Sequence, residues 1–292
     1  MLSELNVEAG TESACQCARG FFCLPLLTWL LILVWSLASI ATASESESGA
    51  LVLFRNAAEV PTTVIAALGG INGRLINDAS DGRQVVVADL APKQSFALPE
   101  LRQHTIELLV LDGELLWLGR TLAFLDYGYW PKTEGAVSWV GGKQGATLLL
   151  FLDPPRDTDS PKGRIQRNRD KDWLPATVAL RDAGIALALK TKELLYDPVS
   201  GQRTWLLRVD PDFSIPWEMH TSAEEGFLIA GDFSVGECLA EGPVVGEYAP
   251  GGYFYRPAGR VHSGPSSGSK QGALWVLRTP TELTVEFLDS CE

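Results

Sequence analysis

Two short segments of the chain carry side chains able to hold a metal ion. Glu218-x-His220-(x3)-Glu224-(x6)-Gly231 offers two carboxylates and an imidazole, and Gly251-(x5)-Pro257-x-Gly259-(x2)-His262 offers a second imidazole. Two neutral imidazoles and two anionic oxygens balance the charge of one divalent cation. Carboxylate enrichment favours iron(II) or manganese(II) over copper and leaves zinc open, although the lack of a thiolate argues against a structural zinc site. Open positions on such an ion could bind a bidentate oxygen ligand such as an enolate or diketonate, activate dioxygen, or lower the pKa of water. The residues alone do not choose among these. The chain has three histidines, and two of them fall in these segments; the third, His104, is expected in a solvated loop.

Strands are the elements that must position this set. Alternation along a strand sends every second side chain the same way, so Glu218, His220 and Glu224 share a face and Glu225 points away from it. Pro257 and Gly259 make the tight turn that returns a neighbouring strand and delivers His262 to that face. The rest of the chain agrees, with many short segments rich in Val, Leu, Phe, Tyr and Trp punctuated by Gly, Pro, Asp and Asn and no long helical periodicity. Trp205, Trp217, Trp275, Tyr253 and Tyr255 are either barrel core or pocket lining.

A charged stretch at 156–172 has Ile165 as its one apolar side chain and reads as a linker between halves of similar length. The halves correspond. Leu75-Ile76-Asn77-Asp78-(x3)-Gly82 parallels Leu194-Leu195-Tyr196-Asp197-(x3)-Gly201, each the outline of a hairpin. Glu107 to Gly113 parallels Glu225 to Gly231, and Lys143-Gln144-Gly145-Ala146 recurs as Lys270-Gln271-Gly272-Ala273. Three anchors in one order imply duplication. In that alignment Glu100, Arg102 and Ile106 stand at the positions of Glu218, His220 and Glu224, and Tyr129-Trp130-Pro131 stands at Tyr255-Arg256-Pro257. The metal site is therefore expected in the second half only. Glu107, retained opposite Glu225 where the ligands are lost, points to a structural role for that pair.

The N-terminal segment reads as an export signal. Arg19 precedes an apolar, charge-free run from Gly20 to Ser44, and Ala41-Thr42-Ala43 suits cleavage after Ala43. An uncleaved membrane anchor is the alternative; the run ends in small residues rather than a basic stop-transfer cluster, which favours cleavage. About 250 residues remain, enough for one large or two small domains. The formal charge of −12 argues against nucleic acid and anionic membrane surfaces as partners. Cys15, Cys17 and Cys23 lie in the leader, leaving Cys238 and Cys291 to meet an oxidising compartment, where they could form one disulfide.

The two metal segments resemble the paired motifs of the cupin superfamily, Gly-(x5)-His-x-His-(x3 or x4)-Glu-(x6)-Gly and Gly-(x5)-Pro-x-Gly-(x2)-His-(x3)-Asn. The second is met at Gly251, Pro257, Gly259 and His262, with Ser266 for the final Asn. The first is met at His220, Glu224 and Gly231, with Glu218 for the first histidine and Asp212 for the opening glycine. The segment from Leu194 through Trp217-Glu218-Met219-His220-Thr221 to Phe254-Tyr255-Arg256-Pro257-Ala258-Gly259 is similar to the ChrR-like cupins. That resemblance implies an all-β chain of two tandem jelly-roll barrels: a signal peptide or anchor at 1–43, a cupin domain without a metal site at 44–155, the linker at 156–172, and a metal-binding cupin domain at 173–292. It implies a divalent metal held by Glu218, His220, Glu224 and His262. Two functions are compatible with it: a metal-dependent dioxygenase acting on a small oxygenated organic molecule, or a non-catalytic protein that binds or senses a metal or small ligand. The expected location is secreted or periplasmic, or membrane-anchored with the barrels outside the cytoplasm. A small molecule is the expected partner, with a homodimer as an option and membrane contact only through the leader.

Overall fold

The computed structural model describes residues 53–98, 104–131, 137–155, 162–176 and 189–291. The expected leader, with Cys15, Cys17 and Cys23, lies outside them, as do Glu100 and Arg102. Among the described residues no helix is long and apolar enough to cross a membrane.

The described residues form β-strands joined by turns and single 3-10 turns, and the strands make three sheets. The first half builds a nine-stranded sheet around the long antiparallel pair Thr105–Trp117 and Val137–Asp153, which curls on itself as a jelly-roll barrel. The second half builds a barrel from two sheets. One runs Gly252–Arg256, Glu224–Gly231, Ala273–Thr279, Arg203–Val209, Leu189–Tyr196. The facing sheet runs Gly242–Tyr248, Phe233–Leu239, His262–Ser269, Trp217–His220, Val285–Leu288.

The duplication is visible in the backbone. The strands headed by Glu107 and Glu225 each slip register over corresponding residues, Val110 to Asp112 and Leu228 to Ala230. Each bulge ends at a glycine with positive φ, Gly113 at 72° and Gly231 at 88°. A Cβ at Gly231 would sit 1.9 Å from the carbonyl oxygen of Gly272, and one at Gly113 2.3 Å from that of Gly145. Neither position tolerates a side chain. Those oxygens belong to the Lys-Gln-Gly-Ala repeats, so two of the three sequence anchors are the two sides of one close backbone contact, made once in each barrel.

The barrels exchange strands. Leu53–Asn56, which leads into the first barrel, pairs with Gly252–Arg256 of the second. Arg164–Gln166, which leads into the second, pairs with the corresponding strand of the first, Tyr127–Trp130. The charged stretch 156–172 therefore includes a sheet strand as well as connecting chain. Most of its charged side chains after the strand are exposed, but Asn168 is buried against the first barrel, donating its N–H to Asp126 Oδ1 at 3.0 Å and its amide to the Leu125 carbonyl. Lys192 Nζ then donates to the Asn168 carbonyl at 2.6 Å.

Three apolar clusters follow from this layout. Phe96, Trp117 and Trp139 fill the first barrel, with ring centroids 5.2 to 5.5 Å apart and edges to faces. A second cluster lies between the barrels, where Leu109, Leu149 and Phe151 meet Leu206, Phe227 and Val276. The third lines the inside of the second barrel.

A buried polar network crosses the interface between barrels. Arg278 donates through Nη1 to Glu225 Oε1 at 2.7 Å, lies 2.9 Å through Nη2 from Glu107 Oε1, and pairs with Asp153. Its guanidinium stacks 4.5 Å from the ring centre of Phe151, which occupies its own position in the first half opposite Glu107. The carboxylates are further satisfied by tyrosines: Tyr127 donates to Glu107 and Tyr253 to Glu225 at 2.8 Å, while Thr204 and Gln202 of the second half also donate to Glu107. Burial, with Asp153 beside it, lifts the Glu225 carboxyl above its usual range although Arg278 opposes the shift. The retained glutamate pair is thus structural. His104 corrects an expectation: it is half-buried at the edge of Thr105–Trp117, not in a solvated loop, and burial lowers its pKa.

Two stability outcomes follow. Arg278→Met strands three buried carboxylates and should cost about 3–5 kcal/mol in urea unfolding. Cys238 and Cys291 form a disulfide across a 53-residue separation, so Cys291→Ser should cost about 2–4 kcal/mol under oxidising conditions and nothing further once the wild type is reduced.

Candidate metal centre

Glu218, His220, Glu224 and His262 all line one cavity inside the second barrel, on the face that strand alternation assigns them. Each is at least nine-tenths buried. Glu225, one residue on, faces the other barrel. The pairing places Glu218 directly opposite His262 across adjacent strands, with Glu237 opposite His262 on its other side. The turn through Pro257 and Gly259 is tied to the ligand strand, Gly259 adopting φ 76° and donating its N–H to the His220 carbonyl at 2.9 Å.

Three of the four side chains converge. Glu218 Oε2 lies 3.8 Å from His220 Nε2, Glu218 Oε1 lies 3.5 Å from His262 Nε2, and ligand atoms of the trio fit within 4.8 Å of one another. The two imidazoles stand perpendicular with ring centres 4.7 Å apart. Glu224 approaches from the other side: its Oε2 is 3.6 Å from His220 Nδ1 and 3.1 Å from Arg256 Nη1.

The chemistry of the set fits a divalent cation. His262 Nδ1 lies 3.0 Å from the Arg260 carbonyl, so it carries the proton and leaves the Nε2 lone pair free. Burial, reinforced by Arg256 and His220, holds the His262 imidazole well below its ordinary pKa and hence neutral. Burial also pulls on His220, but Glu224 and Glu218 outweigh it and raise that imidazole above its ordinary value. Glu224 is raised by burial against the opposing pull of His220 and Arg256. Three buried carboxyl groups, Glu218, Glu224 and Glu237, face one buried guanidinium, Arg256, an acidic surplus suited to a divalent cation. His220 Nδ1 is buried without a hydrogen-bond partner.

Three residues that the sequence reading passed over shape the site. Arg256 and Glu237 form a buried ion pair inside the cavity wall, with Arg256 Nε 3.0 Å from Glu237 Oε1. The signal for Arg256 was a charge at an inward position of an otherwise apolar strand, Gly-Tyr-Phe-Tyr-Arg at 252–256, and for Glu237 a lone charge in Phe233–Leu239. Ser263 donates to Glu218 Oε1 at 2.8 Å from a backbone with φ 72°. Such a conformation costs a non-glycine residue on the order of 1–3 kcal/mol, and here it aims a hydroxyl at a candidate ligand. Asp212, where the motif has glycine, adopts φ 59°, a conformation Asp accepts more readily than most residues. Ser266 falls in Gly264-Pro265-Ser266-Ser267-Gly268, a Gly-x-Ser-x-Gly spacing, but it is an exposed residue within a strand and forms no nucleophile elbow.

The cavity is about 90 Å³. Beyond the trio and the Glu224–Arg256 pair its wall is largely apolar, with Phe213, Ile215, Phe233, Phe254 and Trp275. Of the aromatics singled out in the sequence, Trp275 lines this space. Tyr253 and Tyr255 turn to the other barrel, where Tyr253 donates to Glu225 and Tyr255 packs under Arg83. In the first barrel, Ile106 pairs with Trp130 where Glu224 pairs with Arg256 in the second.

The fold is that of a bicupin. Residues 169–281 match the family model described as the ChrR Cupin-like domain, so the second barrel carries the ChrR-like pattern and the chain is a two-barrel member of the cupin fold. A candidate dioxygenase from Nostoc punctiforme has the same fold, with a TM-score of 0.64 at 19% identity over 82% of this chain and 87% of that one. A deletion variant of the Bacillus subtilis oxalate decarboxylase aligns with a TM-score of 0.55 at 11% identity, over 80% of this chain and 79% of that one. The Lactobacillus farciminis oxalate decarboxylase formate complex aligns at 0.56 and 12%, over 81% and 88%. No curated protein sequence matches the chain.

Metal binding should separate the two faces of strand Glu224–Gly231. His262→Ala is expected to abolish stoichiometric manganese(II) binding in calorimetric titration, whereas Glu225→Gln, on the interface side, should leave it intact. The reverse order would refute the assignment of faces.

Proposed function

We propose that the protein is an exported, metal-dependent cupin enzyme, a dioxygenase acting on a small oxygenated organic molecule. The observation that carries this is the buried Glu218, His220 and His262 trio at the polar end of an apolar cavity. Two histidines and one carboxylate with open positions are the ligand set of non-haem iron(II) oxygenases. A divalent ion held there would supply a Lewis acid for a chelating oxygen ligand and room for dioxygen.

The chain's own residues prepare the site. Ser263 fixes the Glu218 carboxylate and the Arg260 carbonyl fixes the His262 tautomer, while Glu224 stands behind His220 within reach of the ligand set. The apolar wall receives the carbon part of a substrate and excludes water, which strengthens every electrostatic contact inside. The likeness to a candidate dioxygenase supports this reading, and the leader segment together with the Cys238–Cys291 disulfide supports export. On this reading the first barrel, with Ile106 and Trp130 at the corresponding pair, supports the second rather than binding metal.

The second reading, equally compatible with the ChrR Cupin-like match, is a non-catalytic protein in which the same trio holds metal as a sensor. Elemental analysis of the purified, untagged chain decides the common part: about one equivalent of metal is expected, and less than roughly a tenth after reconstitution with iron(II) or manganese(II) defeats both readings. Oxygen consumption with a panel of diketones and enediols then separates them. Turnover establishes the enzyme; stoichiometric metal and ligand binding with no turnover on any of them favours the sensor.

A further inference from the structure

The metal reading leaves two buried charges without a part in it. Glu237 is wholly shielded from solvent and Arg256 nearly so. Desolvating such a pair is seldom repaid in stability, since apolar residues of similar size pack as well or better. At the strand pair that holds Glu224 and Arg256 in the second barrel, the first barrel has Ile106 and Trp130, so this position of the fold accepts apolar residues in place of the arginine and its Glu224 partner. The fold does not need ions there, so a reason for them must lie in the cavity.

Their geometry supplies one. Arg256 gives Glu237 one edge of its guanidinium, Nε at 3.0 Å and Nη2, and turns Nη1 to Glu224 Oε2 at 3.1 Å. Glu237 sits on the facing sheet, on the strand beside that of His262 and directly opposite it, so the guanidinium is anchored across the barrel while it holds Glu224 on the neighbouring strand of its own sheet. That carboxylate rests 3.6 Å from His220 Nδ1, a buried nitrogen with no hydrogen-bond partner of its own. Glu218 occupies the Nε2 side of the same ring.

We propose that Glu237 and Arg256 are positioning residues of the metal centre: the Glu237-clamped guanidinium holds Glu224 behind His220, so that the imidazole presents Nε2 to an ion held by Glu218, His220 and His262. Glu224 lies too far from Nδ1 for a hydrogen bond and acts on His220 as a nearby negative charge, which favours one ring orientation and raises the basicity of the imidazole. Arg256 is suited to this task because its planar fork engages two carboxylates at fixed angles, which a lysine ammonium cannot do. The inference rests on the metal reading above and adds the groups that orient it.

Glu237→Gln preserves shape and removes the clamp's charge. Manganese(II) titration of the purified protein should show one equivalent still bound, with affinity lowered ten- to a hundredfold. The metal-free variant should unfold at a lower urea concentration, because Arg256 loses a buried partner, so affinity is read on protein shown to be folded. Arg256→Lys should weaken binding in the same direction, and Glu224→Gln combined with Glu237→Gln should lose no more affinity than the worse single variant. Wild-type affinity in Glu237→Gln, losses that multiply in full in the double variant, or a metal-free protein that is destabilised while its folded fraction binds normally would each overturn the proposal. A wild type that binds no metal would defeat the metal reading itself and this inference with it.

Discussion

Charge removed from water has to be met inside the protein, and two arginines meet most of it here. Arg278 gathers Glu107, Asp153 and Glu225 at the seam between the barrels, and Arg256 gathers Glu224 and Glu237 at the site. Both clusters hold more carboxylates than guanidinium charges. At the seam, tyrosine, threonine and glutamine donors make up the difference, and a carboxyl raised by burial lessens it. At the site, Ser263 donates to one carboxylate and the remaining charge is left for a cation.

The two clusters hang from adjacent residues. Glu224 and Glu225 lie next to one another on one strand, as do Leu277 and Arg278 on its neighbour, and the pleat sends one member of each pair into the barrel and the other to the seam. A one-residue slip would bury Glu224 in the interface and aim the interface ion pair into the cavity. The bulge at Leu228 to Ala230, held by the close approach of Gly231 to Gly272, fixes that register. The disulfide from Cys238 then ties the strand bearing Glu237 to the chain end just beyond Val285–Leu288, the edge strand that pairs with Glu218 and His220.

Duplication explains how the same barrel can be solid in one half and hollow in the other. Trp117, Trp139 and Phe96 occupy the interior of the first, while the second keeps its aromatics on the wall and leaves a space beside the ligands. The reciprocal strands, Leu53–Asn56 and Arg164–Gln166, join the halves through backbone hydrogen bonds as well as through the apolar seam.

Much of this was legible in the residues. Period-two alternation determined the β class, three ordered anchors determined the duplication, and the spacing of Glu218, His220, Glu224 and His262 determined which side chains share a face. These are local properties, set by a strand's pleat and by the few residues that tolerate a turn. Tertiary structure decided what spacing cannot express. Glu107 and Arg278 are far apart in sequence, and nothing local announces that they meet; nor does the polarity of 156–172 announce a strand. The same holds inside the site, where Glu224 has the right parity for the ligand trio yet is drawn toward Arg256. Which carboxylate faces which nitrogen depends on the nearest buried counter-charge, and only the folded chain brings that charge into place.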